Sequence, residues 1–415
     1  MNKFKIVYFV AGPLTSRWLD YYCLDELYNN AGFCIEYWDC ADILVDGGYK
    51  VTQIISRPYT KKIISFKHFE QEISNLPKDT IFISEIYFAP ETKKFTRIIS
   101  KYLKYHVDIN IWSSVIKLLE DNIVIDGITS NLKNQNVVTF KSKLYRYDVV
   151  KIVNKFMKYG FTQPFYELIN SLKEQREFKT IQKYVSKFYT THISYLPQYK
   201  YRILHPDYVK YTEIKDKEPI INEPYIVFVG QFFPYHPDVI LYQFDGEIND
   251  IAQEYYNSLN EFFAIIEKKY KCKVVIAEHP SGKYDVNPYD GRDVYYYETA
   301  ELIKDSIAVC IHYSNSINFA ALFNKPISVI ANNAIQKCPT VYGRITEFAN
   351  ILKTPLIRID ADINFQNLFH YIENDDRKKI VDVLEYDDEM HNSNANLYAK
   401  YFSDIYNKMK NSNHA

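Results

Sequence analysis

The chain has 415 residues, 47% of them hydrophobic and 24% charged, with a formal net charge of −1. That length allows two or three domains with a core each, and the composition is globular, not disordered or fibrous. The near-neutral balance carries no nucleic-acid signal, the 11 glycines form neither a G-x-G-x-x-G nor a Walker-type loop, and no run reaches the ~18 apolar residues of a membrane span.

In chain order, Lys5–Val10 reads as a strand. The N-terminus Met1–Gly12 superficially imitates a signal peptide, but its apolar core is too short, and Gly12-Pro13 fits a strand-ending turn. Ser16–Asn29 has helical spacing, and Phe33–Trp38 reads as a second strand that stops at Asp39. Asp79–Glu85 is another strand with a carboxylate at its end, while Tyr105–Ile111 and Asn122–Ile125 are weaker strand candidates. Strands alternating with helices imply βαβ units and a parallel sheet. Six cysteines (Cys23, Cys34, Cys40, Cys272, Cys310, Cys338) form no C-x-x-C and read as small core residues of a reduced, cytoplasmic protein.

Residues 141–202 differ in character. They hold 13 Lys and Arg against 4 Asp and Glu, a net of +9, interleaved with 14 aromatics. Helical patterns run over Tyr147–Tyr159 and Phe178–Phe188. A solvated face accounts for such a run, and so does a surface for lipid headgroups or a phosphorylated acceptor at the inner face of the membrane. Nucleic acid is not expected, because no groove-reading motif accompanies the charge.

The polar stretch Thr212–Pro219 reads as a linker, after which Tyr225–Gly230 restarts the α/β pattern. An amphipathic helix over Glu254–Tyr270 precedes strand 273–277, helix Thr299–Asp305, strand 307–311, helix 316–323 and strand Ile327–Ile330. Ala395–Met409 is helical with no strand after it. The expected fold is therefore α/β, with two Rossmann-like domains facing a cleft, as in the GT-B architecture. Residues 1–210 would form an N-terminal acceptor-binding domain and residues 220–390 a C-terminal donor-binding domain. Residues 391–415 would be a helix packing back toward the first domain.

The chemistry concentrates where two apolar runs end. The first closes on Glu278-His279-Pro280, and the second leads into His312-Tyr313-Ser314-Asn315-Ser316 and a helix. Read as adjacent parallel strands, they bring an imidazole and two hydroxyls to one carboxyl edge, where open α/β sheets bind ligands. Hydroxyls and free N–H groups there suit a phosphate, so a nucleotide-linked substrate is expected. An imidazole, protonated or donating a hydrogen bond, would stabilise charge as a leaving group departs. Capping explains Ser314 and Ser316 as well, and the two roles are compatible. Gly230-Gln231 either lets backbone approach a phosphate or a sugar, or simply ends a strand. Asp360-Ala361-Asp362 is a D-x-D that reads as a turn with Asp362 as a cap, so no metal is expected. An acceptor hydroxyl needs a base. Glu85, at a strand end, and Asp20, beside Arg17 on the first helix, are the candidates, with Asp39 third.

The segment from about Tyr225 to Ile330 resembles a family of glycosyltransferases encoded among bacterial surface-polysaccharide genes. The matching residues are His236–Asp238, Tyr255–Phe263, Val274–Pro280, Asn287–Arg292, Thr299–Ile303, His312–Ser316 and Lys325-Pro326. More distantly, the His-Pro and Ser pair is similar to that of sialyltransferases, polysialyltransferases and Kdo transferases, which use CMP-sugars for capsule and lipopolysaccharide. The resemblance implies that His279, Pro280, Ser314 and Ser316 contact the CMP moiety; Glu278, Gly230, Gln231 and Asn315, read from their places at the same strand ends, are the further substrate-binding candidates. It covers roughly a quarter of the chain, and the acidic D/E-D-G motif of the sialyltransferases is not evident.

The expected activity is inverting, metal-independent sugar transfer from a CMP-activated nonulosonate or Kdo to a glycan or lipid-linked glycan. No cofactor beyond that donor is expected. Teichoic-acid glycerophosphotransferases share a similar pair, so a CDP-glycerol phosphotransferase is the alternative, and a non-catalytic glycan-binding module is another.

Overall fold

Runs of Val, Ile, Phe and Tyr become strands buried on both faces, as parallel sheets require. The computed structural model describes residues 4–29, 33–44, 54–111, 119, 176–236, 239, 245–280, 282, 284–361, 363–385 and 393–412. The first sheet contains β1 (Phe4–Val10), β2 (Phe33–Asp39), β3 (Thr60–Lys62), β4 (Ile81–Ser84), β5 (Tyr105–Asn110), β6 (Tyr189–Ser194) and β7 (Tyr201–Arg202). The second contains β8 (Tyr225–Val229), β9 (Lys273–Glu278), β10 (Val294–Tyr296), β11 (Ala308–Ile311), β12 (Ile327–Ala331) and β13 (Leu356–Arg358).

Their spatial orders are β3-β2-β1-β4-β5-β6-β7 and β10-β9-β8-β11-β12-β13. Every pairing between these strands is parallel. Both sheets start in the middle, wind outward, then cross back to the other side of the founding strand. This is the doubly wound order of a Rossmann fold, and it occurs twice. The two Rossmann-like domains expected for a GT-B architecture are present.

That winding corrects one expectation. The strands ending at Glu278 and at Ile311 are not neighbours, because β8 lies between them. A doubly wound sheet sends later strands to the opposite side of its founder. The two motifs therefore flank the crossover point, the crevice where ligands of such folds bind.

Other boundaries also move. The expected helix Ser16–Asn29 breaks at Cys23, which takes φ 48° and ends Ser16–Tyr22 before Leu24–Asn29 begins. In the basic aromatic region only residues from 176 onward are described, so helix Tyr147–Tyr159 and strand Asn122–Ile125 lie outside the described residues. The described part is helical over 176–185 and then supplies β6 and β7, so its end belongs to the sheet. Helix Pro206–Ile214 spans the expected boundary at 210 and overlaps the expected linker, and its Ile214 packs in the core of the second sheet. All six cysteines are free, with Cys40, Cys310 and Cys338 buried.

The helix Asn394–Ser412 returns to the first sheet, and its Leu397, Tyr398, Phe402 and Ile405 belong to that core. Its hydroxyls reach the same domain: Tyr398 donates to the Tyr21 carbonyl at 3.3 Å and Tyr406 to Asp79 at 2.8 Å. The Tyr406 ring stacks on Phe4 at 4.2 Å. Among the described residues no helix is long and apolar enough to cross a membrane.

Phe402 is 0% exposed. Phe402→Ala should therefore cost about 3–5 kcal/mol in urea-induced unfolding, the range for deleting a buried ring. Asn407→Ala, at an exposed position of the same helix, should stay within about 0.5 kcal/mol.

Candidate active site

β9 stays apolar to Ala277 and then closes on Glu278, which is 1% exposed. A carboxylate buried that deeply must be given donors. One oxygen accepts the backbone N–H groups of His279 at 2.7 Å and Phe232 at 3.1 Å. The other accepts the Tyr284 hydroxyl at 2.8 Å and the Tyr289 hydroxyl. Burial raises the Glu278 pKa even though all four hydrogen bonds favour the charged form.

Two glycines make room for this carboxyl group. A Cβ on Gly230 would lie 2.6 Å from a Glu278 carboxyl oxygen, and one on Gly282 would lie 2.6 Å from its Cγ. The space that a Cβ on Gly230 would take is filled by the Glu278 carboxyl group. The donors are fixed in turn. Phe232 adopts φ 52°, an uncommon conformation for a bulky residue, while its N–H points at the carboxylate. Tyr289 comes from a turn in which Asn287 accepts its N–H at 2.9 Å and Gly291 takes φ 75°. Arg292 anchors that turn on helix Ile248–Tyr270 through Glu267 at 2.8 Å and Asn260 at 3.1 Å.

His279 follows as the next residue and is half-buried. Its ring meets His236 edge to face, with centroids 4.6 Å apart. Burial above all, then His236 and Arg17, pushes its pKa down to about 3. The imidazole is therefore neutral in the free site. Pro280 continues into a turn closed by the Gly282 N–H on the His279 carbonyl at 2.7 Å.

Across β8 stands the second motif. His312 is 1% exposed and structural: it meets the Ile330 carbonyl at 2.7 Å and the Tyr255 hydroxyl at 2.8 Å. Burial lowers its pKa to about 4. Ser314 Oγ accepts the Ser316 N–H at 3.2 Å, and the two hydroxyls are 3.2 Å apart. Ser316 makes no side-chain cap to the six-residue helix Ile317–Leu322. Asn315 is exposed at the tip of this turn. The Gln231 amide donates to the Tyr313 carbonyl, tying the loops after β8 and β11 together. Gly230, Gln231, Glu278, His279, Pro280, Ser314, Asn315 and Ser316 thus gather at one carboxyl edge.

The N-terminal candidates are dispersed. Glu85 directly follows β4, at the crossover point of the first sheet, and accepts the Tyr22 hydroxyl. Asp39 ends β2, where burial raises its pKa and the Ala41 N–H bonds it at 3.0 Å. Asp20 is exposed on the first helix, its pKa raised by partial burial, opposed by Lys210, and raised further by Glu213 and Glu26. These neighbours place Asp20 toward helix Pro206–Ile214. Asp360 accepts the Asn333 N–H and pairs with Arg358 at 3.2 Å, so it is used within a turn. Asp362 lies outside the described residues. No cluster suited to a metal occurs among the described residues.

No family model and no curated protein matches the sequence. Solved structures resemble it weakly. The wall teichoic acid polymerase TagF is 12% identical with a TM-score of 0.44, over 100% of this chain and 90% of that one. UGT2 of Phytolacca americana, complexed with UDP-2-fluoroglucose and pterostilbene, is 10% identical with a TM-score of 0.43, over 98% and 99%. The UDP-GlcNAc 2-epimerase of Methanocaldococcus jannaschii is 10% identical with a TM-score of 0.41, over 94% and 93%. Likenesses this distant carry nothing about the chemistry, which rests on the residues above.

The cage around Glu278 makes a sharp expectation. Glu278→Gln keeps an oxygen for the two amides, and the tyrosine hydroxyls can turn to accept from the new NH2 group, so the melting temperature should stay near that of the parent. Glu278→Ala strands those donors in the core and should cost about 3–5 kcal/mol, seen as a large fall in the same thermal scan.

Proposed function

We propose that this protein is an inverting, metal-independent glycosyltransferase that takes a sugar, a nonulosonate or Kdo, from a CMP-linked donor. The acceptor is a bacterial surface glycan or its lipid-linked precursor. One observation carries this: His279 and the Ser314–Ser316 turn flank the crossover point of the second sheet. Such a crevice takes nucleotide phosphates. The likeness of the His-Pro and Ser motifs to enzymes using CMP-sugars supports cytidine.

The second domain holds the nucleotide and the first holds the acceptor. A hydroxyl of the acceptor attacks the anomeric carbon from the face opposite the phosphate, which inverts its configuration. The hydroxyl proton passes to a carboxylate, and the bond between sugar and phosphate breaks to release CMP. Glu85 is the preferred base, because it alone of the three candidates stands at the crossover point of the first sheet. Asp20 and Asp39 are the alternatives. Neutral His279 donates an N–H to a phosphate oxygen, an interaction that strengthens as charge develops there. The hydroxyls of Ser314 and Ser316 supply further donors. Glu278 touches no substrate in this scheme, since its carboxyl group is consumed in holding the His279 turn.

Mass spectrometry of CMP release against a panel of nucleotide sugars tests the assignment, with CDP-glycerol as a second donor. Release from a CMP-sugar supports it. Turnover of CDP-glycerol alone makes the protein a phosphotransferase, and turnover of neither leaves a binding module. CMP or CDP should also raise the melting temperature more than the uridine nucleotides do, because ligand bound to the native state stabilises it.

His279→Ala should lower kcat by about 10²–10³ with an unchanged melting temperature, the loss expected for one donor to developing charge. The acid limb of kcat/KM, which reports the free enzyme, should show no ionisation from His279 near pH 6.5. With a pKa of about 3 the ring is already neutral there and gains its proton only far below. A well-folded variant with parental kcat would remove His279 from the reaction.

Activity should persist in EDTA. Complete loss with chelator, restored by magnesium or manganese, would return attention to Asp360.

A further inference from the structure

A neutral His279 presents an N–H but no charge of its own to a leaving phosphate. The groups whose charge reaches His279 are His236, from its own domain, and Arg17, from the helix that follows β1 in the other domain. Tyr21, on that helix, and Asn318, on the helix after β11, meet on one Asp207 carboxyl group, which brings the carboxyl edges of the two sheets together.

A set of polar contacts holds that approach. The Arg17 guanidinium lies over the Tyr21 ring, 5.4 Å from its centroid, one helical turn along. The Tyr21 hydroxyl donates to Asp207 at 3.3 Å. The other Asp207 oxygen accepts the Asn318 side-chain N–H at 2.8 Å. Asn318 sits two residues after Ser316. Asp207 is 5% exposed and Asn318 2% exposed, so the tie is shielded from water. Asp207 is itself seated by its own N–H on the His205 ring nitrogen at 3.0 Å. One carboxylate thus joins the helix bearing Arg17 to the helix behind the serine turn.

We propose that Arg17 completes the donor's phosphate site from across the cleft, and that the Tyr21–Asp207–Asn318 tie positions it there. This rests on the reading of the second sheet's crossover point as the nucleotide site. An arginine suits the task, since its planar fork binds phosphate oxygens in pairs and never loses its charge. Arg17 is a binding residue in this scheme, while Tyr21, Asp207 and Asn318 are positioning residues.

Isothermal titration of CMP, cytidine and inorganic pyrophosphate into the full chain tests it. Arg17→Ala should weaken CMP and pyrophosphate about tenfold or more, the loss of one charge-assisted contact, and leave cytidine unchanged. Arg17→Lys should recover part of the CMP affinity, because it restores the charge without the fork. Tyr21→Phe and Asp207→Asn should lower the phosphate-dependent part of the affinity alone. Tyr21→Phe carries that point if Asp207→Asn melts early. Equal CMP and pyrophosphate affinity in Arg17→Ala and the parent would overturn the inference. A parent that binds CMP no better than pyrophosphate, with both lost in Arg17→Ala, would refute the cytidine reading and keep Arg17. A parent that binds neither would overturn both.

Discussion

The candidate site depends on a carboxylate that has been taken out of water. Glu278 sits at the end of a strand buried from Val274 onward, and its ionised form is tolerable only if donors surround it. Those donors come from three separate segments: the turn after β8, the start of the His279 turn, and the stretch bearing Tyr284 and Tyr289. Satisfying one buried group therefore fixes the loops that form one side of the crossover point. His279 takes its position from its predecessor, since its own N–H is one of the four donors.

The double Rossmann winding explains why the chemistry is divided. Each sheet has one crossover point, and each point gathers the ends of strands distant in sequence. In the second domain that brings the loops after β8, β9 and β11 together. In the first it brings Glu85 against Tyr22, the last residue of the helix that carries Arg17. In the proposed scheme the nucleotide's donors come from one edge, and the base and the permanent positive charge from the other. Asp207, buried where helix Pro206–Ile214 meets both domains, joins the two halves through side chains rather than backbone.

Much of this was legible in the sequence, because buried parallel strands leave continuous apolar runs. The segments ending at Val10, Asp39, Glu278 and Ile311 were all visible that way, and so was the terminal helix with its periodic aromatics. Neighbour relations were not visible: periodicity says nothing about which side of the founding strand a later strand joins, so β9 and β11 were expected side by side. Gly230 was read for what its missing side chain admits, without knowledge that Glu278 fills the space. Tyr284 and Gly282 gave no signal of their own. The stretch Asn287–Arg292 did stand out as part of a resemblance, and its role proves to be scaffolding for Tyr289. Asp207 passed unnoticed because a carboxylate in the first turn of a helix is ordinary by pattern, and only the fold shows that it is buried between domains.

The return of helix Asn394–Ser412 to the first sheet has a consequence for how the molecule is made. Phe4 and Tyr406 stack although almost the entire chain separates them. Contacts so remote in sequence carry the largest closure entropy and form late. On a ribosome the amino-terminal domain emerges first, yet its core lacks Tyr398 and Phe402 until that helix has been synthesised. The second domain, built from consecutive segments, has its strands in hand sooner. The order of synthesis and the order of completion are thus reversed, and the first sheet waits with an uncovered apolar face while the rest of the protein is translated.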